Sequence, residues 1–306
     1  MKNKAEEFND YESMQSSAKN WEIHCAYQLH PKALVGEHRV EELETLQLSY
    51  TKREGGFMHD AISPPDTLSI AVILECASKA CFDRLKLHKN RVLFFDDLKA
   101  YNFMSESSIE VGIVSISKIK HPKLCQKLSK YLGLSVHDKE EILASVLRSE
   151  TKDEKVLLDG VQKLVNHYAP EFPKLTKGEK IALSIRDEVY KHMDGKISIA
   201  TFAKKYEVSE QTLQNSFKSL FGFTPKLFLR LLKLNLVHYE LKNASSETCS
   251  VSKIAIRWGF THMGRFSQYY SELFLENPSV TLKREEETIE EMQTKCVSRQ
   301  EEIADL

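Results

Sequence analysis

Two sets of polar side chains stand about fifty residues apart: Ser209, Gln211, Thr212, Gln214 and Asn215, then His262, Arg265, Ser267 and Gln268, with Met263 among the latter. Glutamine and asparagine amides can pair in bidentate fashion with adenine, and arginine with guanine. The chemistry such sets suit is the reading of base edges in a DNA groove. Each set is interleaved with apolar residues four apart, Leu213 with Phe217 and Phe266 with Tyr270. That spacing predicts a helix with one face inward and the polar residues left outside.

What must position the two sets is a duplicated unit. Residues 198–225 align with 250–278: Ala203 with Ala255 and Val208 with Phe260, then Leu213 with Phe266, Phe217 with Tyr270, Phe221 with Phe274 and Pro225 with Pro278. The offset grows by one between the second and third pairs, so the second copy has one extra residue in its turn. A small residue on a first helix, a short turn and a second amphipathic helix predict two helix-turn-helix units. Two copies are too few for a solenoid. Charge points the same way. Residues 174–284 hold 18 Lys and Arg against 10 Asp and Glu, while 1–173 hold 23 against 26 and 285–306 hold 2 against 8. The net of -1 therefore hides a segment at +8, which suits a polyanion.

At this point the chain resembles the AraC/XylS family of transcription regulators over roughly 178–284. The residues that carry the likeness are Ser209, Leu213, Phe217, Gly222 and Pro225 in the first unit. In the second they are Arg257-Trp258-Gly259-Phe260, His262, Gly264-Arg265-Phe266-Ser267, Tyr270, Leu273-Phe274, Glu276, Pro278-Ser279 and Thr281-Leu282. The likeness is strongest to the subgroup of ethanolamine-operon and aromatic-degradation activators. It implies that a long helix, 227–243, joins the units and sets both recognition helices on one face of DNA, whose successive major grooves lie roughly 34 Å apart. Three departures bear on sequence preference or geometry: Leu275 stands where the family has a helix-capping Gly, Asn215 where Arg is common, and Lys233 where the connecting helix has Arg. A side chain at 275 is expected to resist the left-handed cap.

The front half reads as strands at 46–53, 68–76, 90–98 and 110–118, split by turn material such as Glu54-Gly55-Gly56 and Ser63-Pro64-Pro65-Asp66. After Pro122 the period becomes helical, with helices predicted at 153–168 and from Thr176 to near Gly195, the latter with Glu179 in capping-box position. The stretches 21–31 and 35–50 look like the start of the family's regulatory domain. The predicted fold is α+β: a cupin-like β-sandwich regulatory domain (1–120), a helical linker with possible dimer contacts (121–173), an all-α double helix-turn-helix domain (174–284) and an acidic tail (285–306). The stripe Leu157, Val161, Leu164 and Val165 predicts a homodimer surface, unless it packs on its own sandwich.

Candidate effector-binding residues are Phe94, Phe95, Tyr101 and Phe103, as an apolar lining, with Arg39 and Arg91 to meet an anion. Plain core is the competing reading for the aromatics. No metal or other cofactor is expected. The eleven histidines include no His-x-His, and His59, His88 and His121 stand alone. The six cysteines form no Cys-x-x-Cys, and His88 near Cys76 and Cys81 is too little for a ligand set. No apolar run approaches a membrane span, and the first fifteen residues offer no apolar core for a signal peptide. A cytoplasmic, non-membrane chain is expected. The expected function is sequence-specific control of transcription, with promoter DNA, RNA polymerase and a small-molecule effector as partners and no catalysis. Two alternatives stay open: a cupin-type enzyme fused to a DNA-binding domain, and a constitutive DNA binder controlled by a partner protein.

Overall fold

The computed structural model describes residues 5–18, 21–31, 34–139, 141–148, 153–172, 174–191, 198–245 and 248–283. The acidic stretch 285–306 and the predicted helix end near Gly195 lie outside the described residues. The front half opens with β1 (Glu6–Phe8), α1 (Tyr11–Ser17), β2 (Glu22–Gln28), β3 (Val35–Glu42), β4 (Leu46–Glu54), β5 (Phe57–Ile62) and β6 (Thr67–Cys76). It continues with β7 (Ala80–Phe82), β8 (Leu85–Leu87), β9 (Arg91–Asp96), β10 (Tyr101–Ser105) and β11 (Ile109–Ser117). Then come α2 (Pro122–Leu128), β12 (Ser135–His137), α3 (Ile142–Arg148) and α4 (Glu154–His167).

The strands form two antiparallel sheets. One runs β1-β3-β4-β11-β6-β9-β12 and the other β2-β5-β10-β7-β8. Side-chain alternation along each strand divides the core. On β6, Leu68, Ile70, Val72 and Leu74 face one way and Ala71 and Ile73 the other; on β9, Val92 and Phe94 part from Leu93 and Phe95 in the same manner. Being covered on both faces, β6 reads as a nearly continuous apolar run. The second sheet is two-sided as well. Phe57, Phe82 and Tyr101 face the first sheet, while Met58, Cys81 and Met104 face the carboxy-terminal helices.

Residues after Pro122 are less purely helical than their period predicts. β12 pairs with β9 and completes the first sheet. The helices α2 to α4 cover that sheet's outer face, with Leu157, Val161 and Leu164 fully buried among Leu46, Leu48, Ile70 and Val114. The apolar stripe expected to form a dimer is thus covered by the chain's own sandwich. That removes the argument for a dimer from this helix, because a face already out of water gains nothing from a second copy.

The helical half comprises α5 (Lys177–Lys191), α6 (Ile199–Lys205), α7 (Glu210–Phe221), α8 (Pro225–Lys242), α9 (Val251–Arg257), α10 (Met263–Phe274) and α11 (Pro278–Lys283). At the start of α5 the capping box is present: Thr176 N–H donates to Glu179 Oε2 at 2.9 Å and Glu179 N–H to Thr176 Oγ1 at 3.2 Å. The connecting helix α8 starts on Thr224, whose hydroxyl accepts from Leu227 N–H, with Pro225 in its first turn. Leu275 does adopt the left-handed cap of α10, at φ 58°, matching Gly222 at φ 85° on α7. Its exposed side chain finds room in solvent, and its N–H still bonds Ser271 O at 3.0 Å. The fold holds this conformation against a cost of roughly 1–2 kcal/mol.

The two halves are docked. Asn235 on α8 pairs with the backbone of β2, accepting from Gln28 N–H at 2.7 Å and donating to Gln28 O at 2.8 Å. The Gln28 amide in turn donates to Leu273 O at 2.7 Å. Arg186, 4% exposed, donates to Asp83 O, and Lys86 forms an ion pair with buried Glu179 at 2.5 Å. Burial works to raise the Glu179 carboxyl, but hydrogen bonds from Lys86, Ser219 and Thr176 outweigh it and hold it at about 2.

Candidate nucleic-acid interface and inter-sheet cavity

The two helix-turn-helix units are built alike. In the first, Ser209 caps α7 by accepting from Thr212 N–H at 3.0 Å. Leu213 and Phe217 are fully buried in the helical core, Phe217 against Phe221 and Phe228, which sets the face that α7 turns outward. Ser209, Gln211, Thr212 and Asn215 are left exposed and Gln214 half-buried. Gln211 donates to Asn215 Oδ1 at 2.9 Å, one helical turn away. In the second unit Phe266 and Tyr270 are buried in the same way. Exposed His262 precedes α10 without a side-chain cap; Met263 and Ser267 are half-buried; Arg265 and Gln268 are exposed. Gln268 donates to Glu272 Oε1 at 2.8 Å. Arg265 has no hydrogen-bond or ion-pair partner among the described residues, so its guanidinium is open to an incoming acceptor. The turns correspond too: Glu207 at φ 52° stands in the first where Gly259 at φ 84° stands in the second.

The front half holds a second feature, a cavity of about 80 Å³ between the two sheets. Phe95, Tyr101 and Phe103 line it together with Trp21, Ile73, Phe82 and Val111. The other three effector candidates lie elsewhere. Phe94 has the opposite parity to Phe95 and packs on Tyr131 beneath α2, with ring centroids 5.1 Å apart. Arg39 is out in solvent beside Glu37 and over the Tyr50 ring. Arg91 is held at the sheet edge by Glu171 at 2.6 Å and Ser135 at 3.1 Å.

The cavity's polar groups escaped the sequence reading. Arg53, 7% exposed, extends from β4 and donates through Nε to Thr51 Oγ1 at 3.0 Å. Its Nη1 meets His59 Nε2 at 2.6 Å and its Nη2 meets His38 Nε2 at 3.3 Å. Burial, and then the Arg53 charge, press the His38 imidazole down to about 3 and push His59 well below the ordinary histidine value. Both rings are therefore neutral. The Ser17 hydroxyl donates to Met14 O, so it accepts from His38 Nδ1, leaving Nε2 as an acceptor for Arg53. Alternation on β4 places Gln47, Ser49, Thr51 and Arg53 on one face, a polar pattern that reads as solvent-facing. Only the second sheet, which covers that face, turns it into a cavity wall. His38 and His59 come from two different strands, and no local spacing reveals their meeting.

Among the described residues no group of three or more His, Cys, Asp or Glu is placed to hold a metal ion. No described helix is long and apolar enough to cross a membrane.

Residues 202–284 match a family described as "Helix-turn-helix domain". Over 165 residues the chain is 30% identical to a probable thc operon regulatory protein of Rhodococcus erythropolis, covering 52% of this chain and 48% of that one. Over 88 residues it is 36% identical to a XylDLEGF operon transcriptional activator of Pseudomonas putida, covering 29% of this chain and 27% of that one. The chain thus spans about half the length of the first relative and about a quarter of the second. Among solved structures, the AraC-like transcriptional activator CuxR is similar with a TM-score of 0.42 and 12% identity, covering 82% of this chain and 98% of that one. With its two matched units and one continuous connecting helix, the carboxy-terminal part of this chain is a helix-turn-helix domain, similar over 88 residues to that operon activator.

Proposed function

We propose that the chain is a sequence-specific DNA-binding activator of transcription, in which 174–284 binds promoter DNA and the front domain binds a small-molecule effector. The observation that carries this reading is the pair of recognition helices, each locked by buried aromatic or leucine side chains and each turning polar residues outward, in a segment at +8. In this reading Ser209, Gln211, Thr212, Gln214 and Asn215 face one groove, and His262, Met263, Arg265, Ser267 and Gln268 the next. RNA polymerase is the partner through which bound protein raises transcription. No step of this function needs catalysis.

The second sheet supports a route from effector to DNA-binding unit. Phe82 and Tyr101 touch the inter-sheet space, while Cys81 and Met104 on the same strands touch the helical half; Cys81 Sγ lies 3.3 Å from Leu220 O at the end of α7. An occupant that moved the aromatic side would shift the face on which α7 rests, and would favour whichever arrangement it fits best. The test is fluorescence anisotropy of the full chain on duplexes from its own operon's promoter and on scrambled duplexes of equal length. Promoter DNA is expected to bind at least tenfold more tightly, with affinity falling steeply as salt rises. Equal affinity for both duplexes, or insensitivity to salt, would refute the reading.

A further inference from the structure

The guanidinium of Arg53 is a buried positive charge at an apolar cavity, with no carboxylate paired to it among the described residues. Its hydrogen-bond partners are a threonine hydroxyl and two neutral imidazoles, and it lies over the Phe57 ring at 5.0 Å. Among the described residues the other ionisable group acting on it is the Tyr11 phenol, which donates to Gly56 O and which burial holds in its neutral form. Removing a charge from water without a counter-charge costs several kcal/mol, and burial draws Arg53 down only to about 10, so it stays charged at neutral pH. Three of its five N–H groups are engaged, leaving two. A second donor belongs to the same wall: the indole N–H of Trp21, a cavity-lining residue, is buried and without a hydrogen-bond partner. Buried donors in a folded protein are nearly always satisfied. Apart from these groups and the two imidazoles, the lining is mostly apolar, with Ile23, Ala61, Ile73, Phe82, Phe95 and Phe103 around it.

We propose that this cavity binds a small monoanion with an apolar body, a monocarboxylate, whose oxygens lie on Arg53 and whose hydrocarbon part lies among the aromatic side chains. A carboxylate matches the planar fork of a guanidinium and supplies the missing negative charge. One buried cation and an apolar wall argue against a phosphate ester or a di-acid, which would leave charge uncompensated. At about 10–15 Å³ for each water-sized occupant, the volume holds on the order of six such units, which selects a single ring or a short chain. The inference deepens the effector reading above and rests on it for its regulatory consequence, though not for binding itself.

The test uses the full chain. Of its two tryptophans, Trp258 lies in the second helix-turn-helix unit; with Trp258→Phe, emission reports on Trp21 alone. Hexanoate and cyclohexanecarboxylate are titrated against hexanamide and cyclohexanecarboxamide at constant ionic strength in sodium chloride, following emission and Tm. The expected result is saturable binding of both acids with Kd at least tenfold below that of their amides. Arg53→Gln should erase the difference, and Arg53→Lys should keep part of it. If Arg53→Gln fails to fold, the acid-to-amide ratio in the unsubstituted cavity decides. Amides binding as tightly as acids would overturn the anion assignment while leaving an effector cavity in place. Acid binding that survives Ile73→Trp, which fills the cavity, would place the anion elsewhere and overturn it, as would no acid binding at about 10 mM, near the weakest useful affinity. Tight, Arg53-dependent acid binding that leaves promoter affinity unchanged would uphold the site and refute the effector reading instead.

Discussion

Replacing Asn235 with alanine removes the clasp that holds α8 to β2 and leaves Gln28 N–H and C=O to find other partners. Each of these two hydrogen bonds contributes about 0.5–1.5 kcal/mol net, and more where water cannot replace the lost partner. The third bond of Asn235, to Leu231 O one turn back, competes with the helix's own ladder and counts for little. Alanine is the better helix former by about half a kcal/mol. The net expectation is a loss of about 0.5–2.5 kcal/mol, concentrated at the contact between the two halves. Native-state hydrogen exchange reads it directly. The Gln28 backbone N–H should exchange about 2- to 60-fold faster in Asn235→Ala, at tenfold for each 1.4 kcal/mol. Amides of central β6 should change by less than twofold. Uniform acceleration through β6 would mean that the substitution lowers global stability and not the docking. No change at Gln28 would mean that the clasp holds nothing.

Other expectations follow from the same contacts. Arg265→Ala should weaken promoter binding by about 1–3 kcal/mol and scrambled-DNA binding by less; equal losses on both would make Arg265 a phosphate contact. Gln214→Ala should cost less, because Gln214 is half-buried and Glu210, exposed at the start of α7, repels nearby phosphate; a larger loss than for Arg265→Ala on the same promoter would make the first unit dominant. The Glu179 carboxyl has a folded pKa near 2, below its ordinary 4.5, so its contribution is present above pH 4.5 and is lost as pH falls toward 2; Glu179→Gln should flatten that limb of an acid-unfolding curve. His38 and His59 titrate below their ordinary 6.5, so between pH 6.5 and about 3 the unfolded chain takes up protons that the folded one refuses. Stability should therefore fall through that window, and His38→Gln should lessen the slope in Tm against pH. Gly222→Ala should lower stability by about 0.5–1.5 kcal/mol, since it takes up φ 85° and its methyl would meet the Glu106 carboxylate; an unchanged Tm would show that this turn relaxes freely.

The amino-acid sequence by itself determined the double helix-turn-helix. Its signals are local: Leu213 with Phe217 and Phe266 with Tyr270 each lie one turn apart, and a side chain that must be buried at that spacing fixes which residues face out. The strongest strands were legible for a similar reason, since β6 and β9 are covered on both faces and carry long apolar runs. The short strands β7, β8 and β12 were not, because three residues are too few to show an alternation, nor were β3 and β5, which lack a continuous apolar run. Tertiary structure decided the rest. It turned the stripe on α4 inward onto the chain's own sheet, and it sent Phe94 and Phe95 to different cores. It also brought Arg53, His38 and His59 together from three strands. A hydrogen-bonded helix carries its register within itself, whereas a strand's face is inside or outside only by virtue of what another part of the chain lays over it.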